Sequence, residues 1–476
     1  MPPLQIGGAW RRLLRIGGIV AVVLIITTFL VQTKFTSFTP SSLRSYAHST
    51  PQRLHILIPA TSANYNLCQL LISAALLGYP APVLVNWADH EDGDEMKQHI
   101  TKITGVMKYI QALPEDQKDD LIFMLDGFDT WFQLPMEFII KKYHEVMAKA
   151  HLHHLQIFGA ELVKEHNIKN TVLFGPDKRC SPNGPEDPGC WAVPQSWVEK
   201  MSFGPLTDSG DSMYDRPRWL NSGTIIGPAR DFANISQAAL DTVARHHVTD
   251  SDQYYFSTVF GTQSYARKQL KLSYDDAHGI NDTDLETVPP KKHRLPEMKP
   301  GNRTEFYMGL DWESSLFQTA AYYGDYVAWV RFNTTSEYVR KTSQSINPHH
   351  HFTLPNNMAG SGPMSVSEAR QIDPALASWS RLPLAVNTVT RHVPVIIHIN
   401  GKKGYRYLWW PRNWFYPYMD QMLHRQRQRG LRNSGEQRDA LAGAWTFSNG
   451  TRGWVEWNDV CAKYENRLMG KHVLNE

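Results

Sequence analysis

The chain has 476 residues, with 49 Lys and Arg against 46 Asp and Glu, a formal charge of +3. Three of the bases, Arg11, Arg12 and Arg15, fall in residues 1–16, which hold no acid, so the rest of the chain is electrically balanced. An even balance excludes the basic footprint of a nucleic-acid binder, and a 42% hydrophobic content with 11% aromatics excludes wholesale disorder. Four cysteines without a CxxC pair exclude a disulfide scaffold and a zinc knuckle.

Residues 17–31, GGIVAVVLIITTFLV, carry no charge, and Leu13, Leu14 and Ile16 extend the apolar run past Arg15. The length predicts a transmembrane signal-anchor suited to a thin early-secretory bilayer. The arginines precede it and only Lys34 follows closely, so residues 1–16 are expected to be a cytosolic tail and the remainder lumenal. This is a single-pass type II arrangement, in the Golgi or endoplasmic reticulum membrane. A cleaved signal peptide is the other reading, but no A-x-A-like site follows in VQTKFTS. Residues 32–50, rich in Ser and Thr, read as a stem. Sequons at Asn234, Asn281, Asn302, Asn333 and Asn449 agree with a lumenal body.

From 51 to 420 the pattern is that of one α/β domain. LHILIPA (54–60) reads as a buried strand, LCQLLISAALLGY (67–79) as a helix and PVLVNW (82–87) as a second strand. A helix over 95–113 and a strand LIFMLD (121–126) complete a β-α-β-α-β order. That order predicts a doubly wound parallel sheet with ligands at the carboxyl ends of its strands. LQIFGAE (155–161) reads as a further strand, and WLNSGTIIG (219–227) as strand or turn-strand. DQYYFSTVFG (252–261) begins a helix, and DYVAWVRF (325–332) and VPVIIHIN (393–400) are two more strands. Residues 340–385, with His349, His350 and His351, read as a long surface insertion. Residues 421–476 form a C-terminal extension whose Trp445, Trp454 and Trp457 are expected to pack back on the domain. Cys180 and Cys190 bracket a Pro/Gly-rich loop that a disulfide could close, whereas Cys68 and Cys461 are left unassigned.

Two strand ends carry chemistry. LIFMLDGFDTWFQ places Asp126 and Asp129 one turn apart, where both carboxylates can face one hard cation. The bland reading is a turn in which Asp caps a following helix. VPVIIHINGKKGYRY delivers His398, followed by Asn400, Gly401, Lys402 and Lys403. An imidazole beside two carboxylates suits Mn²⁺ better than Mg²⁺. Gly401 lets backbone approach a ligand, and the lysines can neutralise a diphosphate. The alternative is a satisfied strand-end histidine and a solvated turn.

The ordered series DGFD, IFGAE with a CW-x-VP segment, RWLNSGTIIG, SDQYYF, LDWESSLFQ and VIIHINGKK resembles the glycosyltransferase domain of the procollagen lysyl hydroxylases. More distantly, it is similar to the collagen galactosyltransferases. The resemblance spans roughly residues 54–410. It implies a GT-A-like open sheet, with a Rossmann-like nucleotide-binding half and an acceptor half, a UDP-sugar donor and Mn²⁺. It places Asp126, Asp129 and His398 on the metal, and Ala60 and Thr61 beside the uridine. Trp87, Lys102, Asn221, Ser222, Gly223 and Gln253 fall on further donor-site positions. Asp252 becomes the candidate for positioning the sugar or the acceptor hydroxyl, or for acting as base; a helix cap is its bland role. Ser251 stands where the family has an acid, and Phe128 where it has a tyrosine.

The function expected is transfer of a hexose from a UDP-sugar to a protein or glycan hydroxyl. A non-catalytic lumenal protein that binds a sugar nucleotide or glycan is the first rival. A metal-dependent phosphohydrolase is the second, and it requires another carboxylate-rich strand end.

Overall fold

A computed structural model describes residues 53–88, 97–249, 251–280, 290–296, 298, 301–333, 352–432 and 443–471. The expected tail, anchor and stem, the histidine triplet and the sequon at Asn281 lie outside them. Among the described residues no helix is long and apolar enough to cross a membrane.

The chain opens with β1 (Leu54–Pro59), α1 (Tyr65–Leu76), β2 (Val83–Val85), α2 (Lys97–Ala112) and β3 (Leu121–Leu125). The three strands pair in parallel, as the alternation requires. Along β3, Leu121, Phe123 and Leu125 join the core on one face, while Ile122 and Met124 join the core on the other. A strand buried on both sides must read as one apolar run, and LIFML does. Asn64 starts α1 by accepting the Leu67 amide at 2.9 Å. Every residue from Leu67 to Leu76 is buried, so α1 is covered all round.

The next elements are β4 (Thr130–Phe132), α3 (Met136–Glu165), β5 (Val172–Asp177) and β6 (Trp219–Pro228). Here one expectation is corrected. LQIFGAE is not a strand: it lies within α3 and straddles a kink at Gly159, whose φ of 79° and ψ of 160° are not helical. A short apolar run fits a helix segment or a strand equally well. The strand is VLFGPD, which ends in Asp177.

Helices α4 (Ala229–Arg245) and α5 (Asp252–His278) follow, then β7 (Met308–Leu310), β8 (Phe317–Thr319), β9 (Val327–Val330), β10 (Leu384–Asn387) and β11 (Ile396–His398). The chain then runs through α6 (Tyr405–Trp409) and α7 (Met419–Arg432) to β12 (Gly443–Ser448) and β13 (Thr451–Glu456).

The fold is α/β, with a mixed eight-stranded sheet in the order β13-β12-β2-β1-β3-β6-β5-β7, compatible with a Rossmann-like fold. It is not the all-parallel sheet that the early alternation predicts. β6 lies antiparallel between β3 and β5, and β13 antiparallel to β12. β6 runs without a break into α4, and β12–β13 is a hairpin. Its Asn449-Gly450 turn has φ of 49° and 79°, as a two-residue turn with both central residues left-handed demands.

The C-terminal extension therefore completes the sheet, with β12 parallel to β2. Trp457 is buried, and Cys461 is bonded to Cys68 on α1, the pairing left open by the sequence. Cys180 and Cys190 are also bonded. The described part of the expected surface insertion is packed rather than loose. Met358, Trp379 and Leu382 are buried in the main core, and β10 pairs with β9.

His154, on α3, gives the fold a pH dependence. It is 5% exposed, and its Nε2 lies 3.1 Å from the Asn170 carboxamide. Burial, with Arg267 nearby, lowers its pKa from 6.5 to about 3. Between those values the unfolded chain binds the extra proton, so stability falls as pH falls, by at most about 1.4 kcal/mol per pH unit. His154→Gln should flatten the slope of thermal midpoint against pH between 6.5 and 4. An unchanged slope would contradict a buried neutral imidazole.

Candidate metal centre

Asp126 leaves the carboxyl end of β3, and Asp129 immediately precedes β4. Thr130 Oγ1 donates to the Asp126 carbonyl at 2.7 Å and pins the turn. His398 arrives from far along the chain because β11 pairs antiparallel with β4, which sets His398 opposite Thr130. The Ile399 amide then donates to the Asp129 carbonyl at 2.7 Å. The imidazole Nε2 comes to lie 3.4 Å from Asp129 Oδ1 and 3.9 Å from Asp126 Oδ2. Ligand atoms of the three residues all fall within 4.8 Å of one another, the one such grouping among the described residues.

Two observations bear on whether a cation fits there. Asp129 Oδ1 is buried and has no hydrogen-bond partner beyond the approach of His398 Nε2 at 3.4 Å. A Cβ at Gly223 would sit 2.7 Å from His398 Nε2 and 2.8 Å from Asp126 Oδ2, so only glycine keeps that space clear. Two carboxylates and one imidazole in an open cradle fit a single divalent cation.

Cations of the protein surround the carboxylates. Lys102 Nζ lies 2.7 Å from Asp126 Oδ1 and 3.2 Å from Asp252 Oδ2. Burial works against its charge, yet Asp126 and Asp252 hold it above the usual lysine range. Lys403 Nζ lies 2.6 Å from Asp129 Oδ2, and Arg406 Nη2 3.6 Å. Burial would raise the Asp129 carboxyl, but His398 and Lys403 outweigh it and hold it well below the usual carboxylate range.

Asp252 opens α5 and is almost fully buried. Burial favours its neutral form, and the charge of Lys102, with a contact from His99, overcomes that and lowers its pKa. His99 Nδ1 is 3.6 Å from Asp252 Oδ1. A carboxylate held ionised in this way is a weak base and a firm positioning group.

β6 supplies the opposite wall. Its antiparallel register sets Thr224 beside Leu125, and the Asp126 amide donates to the Gly223 carbonyl at 2.8 Å. Asn221 is turned inward: its Nδ2 donates to Asp177 Oδ2 at 3.2 Å, and its Oδ1 accepts the Gly223 amide at 2.9 Å. Gln253 accepts the Ser222 amide at 3.2 Å and donates to the Ser181 carbonyl, so its amide clamps the wall to the disulfide loop. At the neighbouring strand ends, the Ala60 amide donates to the Val85 carbonyl and the Ala88 amide to the Thr61 carbonyl. These bonds bring Ala60, Thr61 and half-buried Trp87 together just past the carboxyl ends of β1 and β2. Gly401 has a φ of 83° and turns the chain between His398 and the exposed Lys402.

Asp177 is a residue the sequence reading passed over. It is buried, takes hydrogen bonds from Asn221 and Asn400, and burial pushes its carboxyl up to about 6. Asn400 Oδ1 also accepts the Ala320 and Ala321 amides, both at 2.9 Å. The available signal was an apolar run ending in an acid, VLFGPD, displaced by the strand assigned to 155–161. His99 and Arg406 were missed too, since single basic side chains on a helix face carry no pattern.

No protein-family model matches the chain, and no curated protein matches it.

Proposed function

We propose that the chain is a lumenal, metal-dependent glycosyltransferase of GT-A type, which moves a hexose from a UDP-sugar to a hydroxyl of a protein or glycan. The observation that carries this reading is the meeting of Asp126, Asp129 and His398 at strand ends, ringed by Lys102, Asp252 and Lys403. The resemblance of DGFD, RWLNSGTIIG, SDQYYF, LDWESSLFQ and VIIHINGKK to the lysyl hydroxylase glycosyltransferase domains supports it, as does the tendency of open α/β sheets to bind ligands at the carboxyl ends of their strands. The anchor at 17–31 would hold the protein in a Golgi or endoplasmic reticulum membrane.

In this reading Asp126, Asp129 and His398 hold Mn²⁺, which when bound supplies Lewis-acid stabilisation of charge on the departing diphosphate. Lys403, half exposed, is free to turn from Asp129 toward a phosphate, and Lys402 adds a second charge at the mouth. Ala60, Thr61 and Trp87 form the edge for the uridine, and Ser222 and Gly223 the wall beside the sugar. Asp252 orients the sugar or the acceptor hydroxyl, with Lys102 keeping it ionised. Asn221 and Gln253 act indirectly, since their carboxamides are taken up by Asp177 and by backbone. A binuclear phosphohydrolase is less well supported, because the described residues hold no second ligand cluster.

The test is a donor screen with detergent-solubilised full chain, UDP-glucose, UDP-galactose and other UDP-sugars, read as UDP release. One donor should give Mn²⁺-dependent turnover that EDTA abolishes. UDP binding without release from any donor or acceptor would favour the non-catalytic rival.

A further inference from the structure

Apart from the metal centre, a cleft of about 690 Å³ opens between α4, α5 and the segments 294–296 and 302–306. That volume lies within the roughly 300–1,000 Å³ span of small-ligand clefts. Two sequons far apart in sequence meet in it, for Asn234 on α4 and Asn302 before β7 both line its wall.

The two asparagines are unequal. Asn234 lies inside a helix, its neighbours Ile235 and Ser236 are buried, and Ser236 Oγ has no hydrogen-bond partner. A sequon must be accessible and non-helical for its hydroxyl to work with its amide, and α4 prevents that once it forms. Asn302 is exposed in a segment with neither helix nor strand, and Thr304 is half-buried beside it.

The lining suits a neutral polyhydroxylated ligand. Thr242, Thr258 and Thr262 line it with hydroxyls that donate to their own helix carbonyls and so offer only acceptor oxygens, and Gln237 and Asp241 form an amide–carboxylate pair at 2.7 Å. Charges of both signs line it, Arg245, Arg294 and Arg303 with Asp187 and Asp241, and Arg294 is paired with Asp187 at 3.2 Å. Leu295 and Val248, 61% and 55% exposed, offer apolar rims for sugar-ring faces.

We propose that Asn302 carries an N-linked glycan whose first sugar rings seat in this cleft, while Asn234 stays unmodified. The step joins Asn302 Nδ2 to C1 of a lipid-diphosphate-linked oligosaccharide. It breaks the C1–O bond to the diphosphate and releases one amide proton. The inference rests on the lumenal placement proposed above.

The experiment uses full chain made in a eukaryotic secretory pathway. Sites are read by mass spectrometry after peptide-N-glycosidase treatment in ¹⁸O water, and thermal midpoints are measured before and after the same enzyme. Asn302 should be modified and Asn234 not. Removing glycans should lower the midpoint by about 2 °C or more. Asn302→Gln should start from the lower midpoint and not respond to the enzyme, whereas Thr304→Ser, which keeps the sequon, should behave as wild type. Modification at Asn281, Asn333 or Asn449 without Asn302 would overturn the proposal, as would a modified Asn302 whose glycan can be removed without a shift. If no sequon is modified, the proposal fails, and protease protection of the chain in sealed microsomes reads separately whether the lumenal placement fails with it.

Discussion

Asp129→Ala is expected to lower Mn²⁺ affinity by roughly a hundredfold or more, beyond the loss typical of removing a supporting partner. The side chain contributes one of three ligand positions, and its Oδ1 has no competing hydrogen bond. The fold should tolerate the change. Lys403 is 52% exposed and can return its charge to water, and β4 and β11 stay paired through their backbones. Gly223→Ala should give the same loss without replacing a ligand, since its Cβ would press on His398, which is only 2% exposed, and on Asp126. Affinity is read from free Mn²⁺ by electron paramagnetic resonance, and folding from thermal unfolding. Wild-type Mn²⁺ binding by either variant would show that the ligand set is wrong.

Removing the Cys68–Cys461 bond should produce the largest change in stability. It closes a loop with a sequence separation of 393, for which the chain-entropy limit is about 6 kcal/mol. Native-state strain and residual structure in the unfolded chain commonly reduce such values. The bond also ties α1 to the segment that follows the β12–β13 hairpin, at one edge of the large sheet. Cys68→Ser with Cys461→Ser should therefore lower the thermal midpoint by several degrees. Protection of amides in β12 and β13 from hydrogen exchange should fall first. Cys180→Ser with Cys190→Ser closes a much shorter loop and should cost less. Equal losses from the two pairs would contradict the loop-length argument.

How much of this was legible in the sequence depends on the physics that sets each feature. β1, β2 and β3 were readable because strands buried on both faces are unbroken apolar runs between helical stretches. The Asp126–Asp129 pair was readable because strand ends project side chains at an open sheet's edge. The meeting with His398 was expected only through the family resemblance; no local pattern shows it, because it depends on β4 and β11 pairing antiparallel in a separate three-stranded sheet. LQIFGAE misled because its apolar spacing fits strand and helix alike, and that error hid Asp177 at the end of the true strand. The antiparallel course of β6 and the C-terminal hairpin's place at the sheet edge are decided by long-range pairing, which leaves no local pattern.

The most direct measurement is calorimetric titration of the full chain with UDP, in Mn²⁺ and again after chelation with EDTA. The account predicts one UDP site that requires the metal and is lost in Asp129→Ala and in His398→Ala. Equal UDP affinity with and without metal, or no UDP binding by the well-folded chain, would contradict it.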